Sequence, residues 1–574
     1  MSDDQKPSQP GPKPELTTET RLLIAFALMG LVLFATPYLF KSITPPPAAK
    51  KPSATQQQPA AVTSPVVPEA PVESPAEVKA TPAGHVAAQK EELFVVETDL
   101  YKVVFSNRGA VVQQWILKKY TDDNGKPLEL VNAAAATKAG YAFQLYFEQK
   151  KPAVDLNTVL FAAKPAEDHL GVTYQYSDGA LTARKTFQFQ KSKYVTQVST
   201  DVRENGAVLP HLVAWRGGFG DPADSATDQH VIYFDLNETK LKTHVSKDAK
   251  NGPVTAEGNY SFAGLEDKYF AAVFQPAAPG PVKVVTFGDA VVTAADPKEQ
   301  PRVGAGIGSL AHNDFELFIG PKDIDILSKI NAKLPNIVDF GWFWFLAKPL
   351  FYALHYVADH WIQNYGWAII VVTILINFLL FPLKLTNLKS MKKMQYLQPQ
   401  IAAINDKYKG LSMRDPRKQQ QNEEVMALYK KHGANPMGGC LPMLIQIPFF
   451  IAFYKVLYVS IELRHANWLW VTDLSSAEHL PIHILPIAMI ATQFFMQKMT
   501  PTTSADPSQQ RMMLMMPLVM GFFFYSLPSG LVLYYLTANL VGIAQQVFFN
   551  KTATVADIPQ PLPPAKKPNA RIRR

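Results

Sequence analysis

WAIIVVTILINFLLFPLK (Trp367–Lys384) runs directly into LTNLKSMKKMQYLQ (Leu385–Gln398). The first string has no charge before Lys384, and the second places Lys389, Lys392 and Lys393 just beyond it. An apolar run that ends on a basic segment reads as a membrane crossing whose basic end stays in the cytoplasm. The asymmetry continues along the chain. Lys384–Asn435 holds eleven Lys/Arg, Arg464–Pro481 one, Lys498–Arg511 two, Ser526–Gly530 none and Asn550–Arg574 six, so basic and non-basic connections alternate. Five spans are predicted on this basis: Trp367–Leu383, Leu441–Leu463, Ile482–Gln497, Met512–Leu527 and Leu531–Phe549. Pro528-Ser529-Gly530 forms a tight external turn between the last two. Ile482–Gln497 and Met512–Leu527 are short against a hydrocarbon core of about 30 Å, and short helices thin the bilayer around them.

Toward the N-terminus the chain changes character several times. Leu22–Phe40 is an apolar run reaching roughly 28 Å, long enough to cross a bilayer. A cleaved signal peptide is the rival reading. The run exceeds a typical signal core and Thr36-Pro37-Tyr38 is no small-residue cleavage site, so a retained anchor is expected, with Lys6, Lys13 and Arg21 keeping the N-terminus inside. The Pro/Ala-rich stretch that follows has few aromatics and cannot bury a core; it reads as a disordered tether. From about Leu93 the period becomes two. Leu93–Glu97, Tyr101–Phe105, Tyr141–Phe147 and Lys185–Phe189 are predicted strands, with turns at Asn107–Gly109, Asp122–Gly125 and Ser177–Gly179. About 225 residues of short strands fit one large antiparallel sandwich. Then Phe343–Asn364 places Leu346, Leu350, Leu354, Val357 and Trp361 on one helical face and Lys348, His355, Asp359 and Gln363 on another. That is an interfacial amphipathic helix, and Trp342, Trp344, Trp361 and Trp367 suit the headgroup level.

The expected organisation is therefore a cytoplasmic N-terminus 1–21, an anchor 22–40 and a disordered linker 41–91. A periplasmic all-β domain 92–322 and a periplasmic linker with interfacial helix 323–366 come next. A five-helix core 367–549 contains a cytoplasmic helical hairpin 386–435, and a basic cytoplasmic tail 550–574 closes the chain. The fold class is a polytopic α-helical membrane protein of six spans with a large periplasmic β-domain, both chain ends being cytoplasmic.

Composition and motifs narrow the function. The net charge of +8 lies largely in loops beside apolar runs, where it sets orientation rather than marking a DNA-binding protein. The single Cys440 excludes an internal disulfide and makes cysteine ligation of a metal unexpected. No phosphate-binding loop, zinc-protease motif or nucleophile elbow occurs, so no enzyme activity and no cofactor or metal is expected. No Asp or Glu lies deep within a predicted span, which disfavours an ion-coupled pump.

The predicted spans do hold scattered polar residues. Thr373, Asn377 and Lys384 are spaced by four and seven and share one helical face. Gln446 and Lys455 follow in the next span, Gln493 in Ile482–Gln497, and Tyr534, Tyr535, Thr537, Asn539 and Gln545 in the last. Each alone reads most simply as interhelical glue, Lys384 as snorkelling inward, and Lys455 as snorkelling outward or pairing with Glu462. Together they suggest a wet face within the bundle. The Met-rich run Met512–Met516 offers adaptable apolar surface, or ordinary lipid-facing filler. In the hairpin, Lys389, Lys392, Lys393, Tyr408 and Lys430 are the residues singled out for cytoplasmic contacts.

Several of these stretches resemble the YidC/Oxa/Alb family of membrane protein insertases: Asn435–Pro448 (NPMGGCLPMLIQIP), Pro528–Tyr535 (PSGLVLYY), Met499–Thr503 (MTPTT) and Gly341–Phe345 (GWFWF). The resemblance covers the whole chain. It implies an inner-membrane insertase and chaperone whose spans enclose a hydrophilic groove, open to the cytoplasm and to lipid. A nascent apolar segment docks there and slides into the bilayer, driven by burial of about 20 apolar residues rather than by a nucleotide. It implies nascent membrane proteins, Sec translocon components and the ribosome as partners. It also implies groove roles for Thr373, Asn377, Lys384, Gln446, Tyr534 and Tyr535, and a β-supersandwich of galactose-mutarotase type for the periplasmic domain. The chain departs from the family pattern at one point. The Arg that usually stands four residues after the Thr is here Asn377, and Lys384 is the cation on the same face. A solute channel or a membrane-anchored carbohydrate-processing domain are the competing readings. The basic hairpin argues against the first, and the otherwise unexplained last five spans argue against the second.

Overall fold

The structure, a computed structural model, describes residues 84–552 except 222–227, 279, 292–298, 310–311, 411–414, 434–440 and 500–506. The expected anchor 22–40, most of the linker 41–91, most of the tail 550–574, Asn435–Cys440 and nearly all of Met499–Thr503 lie outside the described residues.

Two-residue periodicity builds the N-terminal half. Among the described residues nineteen strands form antiparallel sheets of four, ten and five strands. Leu93–Glu97, Tyr101–Ser106, Val111–Thr121 and Pro127–Glu129 follow one another as a meander. In the ten-stranded sheet, Asn313–Pro321 runs between Val195–Glu204 and Phe270–Pro276, joining distant parts of the chain. Leu181–Phe189 alternates cleanly, with Leu181, Ala183, Lys185, Phe187 and Phe189 inward. The inner faces share an aromatic core around Tyr101, Phe105, Trp115, Phe143 and Phe187. A ring pair such as Phe105–Phe187, 4.9 Å apart, adds to the area that each ring buries.

Lys185 occupies an inward position of that alternation. Its ammonium donates to the carbonyls of Gly109 (2.7 Å), Ala110 (3.1 Å) and Phe143 (2.8 Å), so no donor is left unpaired. All three acceptor residues have positive φ, which turns their carbonyls toward the ammonium. Gly109 is required there, since a Cβ would lie 2.4 Å from the Asn157 oxygen. Burial pushes the Lys185 amine down to about 7. The turned backbone at Phe143 also shortens the predicted strand Tyr141–Phe147 to Gln144–Tyr146.

Two short helices, α1 (Ala133–Ala139) and α2 (Ile324–Ile330), are capped by Asn132 and Asp323. The longer helices follow: α3 (Trp344–Val357), α4 (Tyr365–Leu379), α5 (Phe381–Lys407), α6 (Arg417–Lys431), α7 (Leu441–Val459), α8 (Ile484–Met499), α9 (Pro507–Phe524) and α10 (Ser529–Thr552). By length and apolarity α10 passes as a membrane span. The pair Trp344–Ile362 and Tyr365–Leu379 passes together but bends by 120°, and Gln446–Val459 and Met515–Phe524 are shorter apolar helices. The predicted span Trp367–Leu383 is interrupted: α4 stops at Leu379 and α5 begins at Phe381. Pro382, with no N–H to donate, stands at this break.

α3 buries Ala347, Leu350, Phe351, Leu354 and Val357 against the core. Trp361, placed on that face by its spacing, is instead 64% exposed. The helix continues as a π turn over Ala358–Ile362, and the wider turn rotates Trp361 outward. Trp342, Trp344, Phe345, Tyr352, Tyr356 and Trp367 are exposed as well.

The outer end of α7 and the residues after it join the helices to the β-domain. The Lys455 ammonium pairs with Asp339 at 2.8 Å, which corrects the expected partner Glu462. Glu462 faces His355 of α3 at 3.0 Å instead. Arg464 forms an ion pair with Asp221 in which both side chains are buried, and it lies over the rings of Tyr269 and Phe270. Thr121 and the His465 Nδ1 are 3.1 Å apart. Beside Asp221, the Asp267 carboxylate accepts from the N–H groups of Asp221, Tyr269 and Phe270.

Residues 399–428 form a separate compact unit. Within it the Tyr408 hydroxyl donates to Glu424 at 2.9 Å, Lys407 pairs with the same carboxylate, and Gln421 bonds Asn405.

Candidate functional site

α10 carries the polar residues that organise the helical bundle. It packs against both α4 and α8 and buries Thr537, Asn539, Gln545 and Gln546 along with its apolar side chains. Its first turn is held from outside the helix. The N–H of Ser529 donates to Ser476 and that of Gly530 to Leu474, which satisfies helix-start donors that have no partner within the helix. Gly530 permits this approach, since a Cβ would lie 3.0 Å from the Leu474 oxygen.

Thr373, Asn377 and Lys384 do share a face, and the structure links them in series. The Thr373 hydroxyl donates to the Ile369 carbonyl at 2.6 Å, and the Asn377 amide donates to the Thr373 carbonyl at 2.8 Å. The Asn377 Oδ1 accepts from the Lys384 ammonium at 2.6 Å. Gln545 of α10 completes the group. Its Nε2 donates to the Asn377 backbone carbonyl at 3.0 Å, and its Oε1 faces Lys384 at 3.4 Å. Two amide oxygens thus surround one ammonium across the break between α4 and α5. Among the described residues no carboxylate pairs with Lys384. The spacing of Thr373, Asn377 and Lys384 was readable in sequence. The position of Gln545 was not, because its contact spans 168 residues.

Gln446, Tyr534 and Tyr535 form a second group. The Gln446 amide donates to the Tyr534 hydroxyl at 3.2 Å, and the Tyr534 ring stacks on Phe453 at 4.3 Å. Tyr535 turns to other aromatics, Phe450 and Phe524. Further along α10, Asn539 donates to Thr492, and Gln546 donates to the Met499 carbonyl, so these two are interhelical ties. Of the residues singled out in 386–435, Lys389 and Lys430 are exposed, and the Lys392 ammonium lies 5.5 Å from the Phe549 ring. Tyr408 is held by Glu424.

Comparison with known proteins places both halves. The family model described as "60Kd inner membrane protein" matches residues 357–556, and that described as "YidC periplasmic domain" matches residues 93–353. A relative from Geotalea daltonii named "Membrane protein insertase YidC" is 35% identical over 559 residues, covering 93% of this chain and 99% of the relative. One of the same name from Syntrophus aciditrophicus is 34% identical over 568 residues, covering 93% and 100%. Among solved structures, "Active YidC insertase crystal structure with the first transmembrane domain resolved" matches at 20% identity with a TM-score of 0.36, over 81% of this chain and 94% of that one.

Proposed function

The chain belongs to the YidC family of membrane protein insertases, and from that membership we propose that it inserts nascent membrane proteins into the inner membrane and chaperones them there. The reading has six spans, of which the last five form the core. Both chain ends and the hairpin 386–435 lie in the cytoplasm, and the β-domain lies in the periplasm. The observation that carries the mechanism is the polar group Thr373–Asn377–Lys384–Gln545, of which all but the half-buried Lys384 are buried, together with the separate pair Gln446–Tyr534. A polar face inside an apolar bundle lowers the cost of drawing a substrate's polar flank part-way across the bilayer. Short helices around it reduce the remaining path. Tyr535, with Phe450 and Phe524, offers an apolar wall for the passing segment. The segment's own burial in lipid then drives its release. No covalent bond is made or broken, so no catalytic residue is assigned.

The basic hairpin and tail supply the proposed ribosome contacts, and substrates arrive either directly or from the Sec translocon. The test is photocrosslinking from probes at Thr373 and Tyr535 during translation of a small membrane protein. Adducts to the nascent chain from both positions are expected. Adducts to lipid alone would exclude the groove.

A further inference from the structure

An ammonium has three N–H donors, and the structure accounts for two of them on Lys384, through Asn377 and Gln545. Both acceptors are neutral amides, so they hold the charge in place without cancelling it. A lysine at the end of an apolar helix would otherwise extend its flexible stem toward water. Gln545 opposes that motion from the neighbouring helix. Its Nε2 is anchored on the Asn377 carbonyl at 3.0 Å, its Oε1 is turned to the ammonium, and the side chain is buried. The same Asn377 that Gln545 anchors to is the closer of the two acceptors, at 2.6 Å.

We propose that Gln545 is a positioning residue for recognition of acidic substrates. It holds the Lys384 ammonium inward on Asn377, so that the remaining N–H and the uncancelled charge meet an Asp or Glu flanking the inserting segment. This rests on the insertase reading above. It adds the residue on α10 that sets the position of the cation. A neutral amide is suited to this task because a carboxylate at position 545 would occupy the cation permanently. A hydrocarbon would release it to the surface.

The experiment uses the full chain in liposomes and two matched single-span substrates that differ only in one flanking residue, Asp or Asn. Gln545→Glu is isosteric and adds a carboxylate beside Lys384. It should lower insertion of the Asp substrate about tenfold more than that of the Asn substrate, as expected for losing a hydrogen bond to a charged partner. Gln545→Leu should give a loss of the same selectivity. In a Lys384→Met background it should give no further selective loss, because the residue acts through the lysine. Equal losses for both substrates, or additive losses in the double variant, would show a merely structural glutamine and overturn the proposal. If the unaltered protein inserts neither substrate, the insertase reading itself fails, and that result is distinct from any effect of position 545.

Discussion

At the scale of single residues, the buried Lys185 and the half-buried Lys384 use the same chemistry to different ends. Lys185 is fully enclosed by three backbone carbonyls. Lys185→Met keeps a similar volume but strips all three acceptors, and it should destabilise the β-domain by at least about 2 kcal/mol, read from chemical denaturation. A loss within measurement error would mean that the carbonyls find other partners. Burial lowers this amine from 10.5 to about 7, so the unfolded chain binds more protons between those values. The lysine's contribution to stability therefore rises with pH through that window. Lys384 keeps open capacity instead. Lys384→Ala should impair substrates with acidic flanks more than neutral ones. Adding Asn377→Arg in the same chain should partly restore them by putting a cation one helical stretch higher. Asn377→Arg alone would set two cations side by side, because Asn377 now accepts from Lys384, and it should not improve on the unaltered protein. Equal behaviour of both substrate classes in the alanine variant would leave Lys384 a topology signal only.

At the scale of elements, sequence reading succeeded where the cause is local and stopped where it is not. The period of Leu181–Phe189 and the turn glycines at 109, 125 and 179, each at positive φ, were legible because a strand's alternation and a left-handed turn are properties of neighbours in the chain. Trp361 was misplaced because the 3.6-residue period was carried across a π turn that sequence does not announce. The partners of Lys455 and Arg464 were not legible at all. Arg464 meets Asp221 across 243 residues, and Thr121 meets His465 across 344. The shared face of Thr373, Asn377 and Lys384 was legible from their spacing, whereas Gln545 on another helix had to be seen.

The joint at the outer end of α7 has a pH dependence that follows from its groups. Burial raises the Asp267 carboxyl from 3.8 to about 6, against the three N–H groups it accepts. The penalty of ionising it is absent below 3.8, grows as pH rises from there, and is complete above about 6. Burial opposes charge on His355, but Glu462 and the Phe351 carbonyl outweigh burial and hold the imidazole above its ordinary value, with Asp359 adding to the effect. Its contribution is complete below the unfolded value of 6.5 and is lost as pH rises through the raised one. Both groups act in the same direction. Hydrogen exchange in 340–362 and 461–474 should be slower near pH 5.5 than near pH 8, after correction for intrinsic rates. Asp267→Asn and His355→Gln should each flatten the difference. Faster corrected exchange at the lower pH would contradict this account.

At the scale of the whole molecule, the β-domain is fastened to the helical part by that joint, yet the proposed groove is built entirely from residues after 366. These two facts give an unusual ordering of defects. Removing residues 93–320 takes away Asp221, Asp267 and Thr121 together, and it also takes away the surface that covers Arg464. The arginine is then hydrated and nothing is left buried without a partner. The pairs Lys455–Asp339 and His355–Glu462 lie outside the deleted segment and continue to hold α3 against α7. Asp221→Ala in the full chain does the opposite, keeping the cover and removing the partner of a guanidinium that is only 6% exposed. Breaking a buried pair from one side costs about 3–5 kcal/mol, far more than leaving an arginine in water. The point variant should therefore be less stable in detergent, and less active in reconstituted insertion, than the chain lacking the entire domain. Asp221→Ala combined with Arg464→Leu should recover much of the loss, because neither member of the pair is then left buried without the other. A deletion that abolishes insertion while Asp221→Ala leaves it untouched would reverse the order and assign the β-domain a direct part in the reaction.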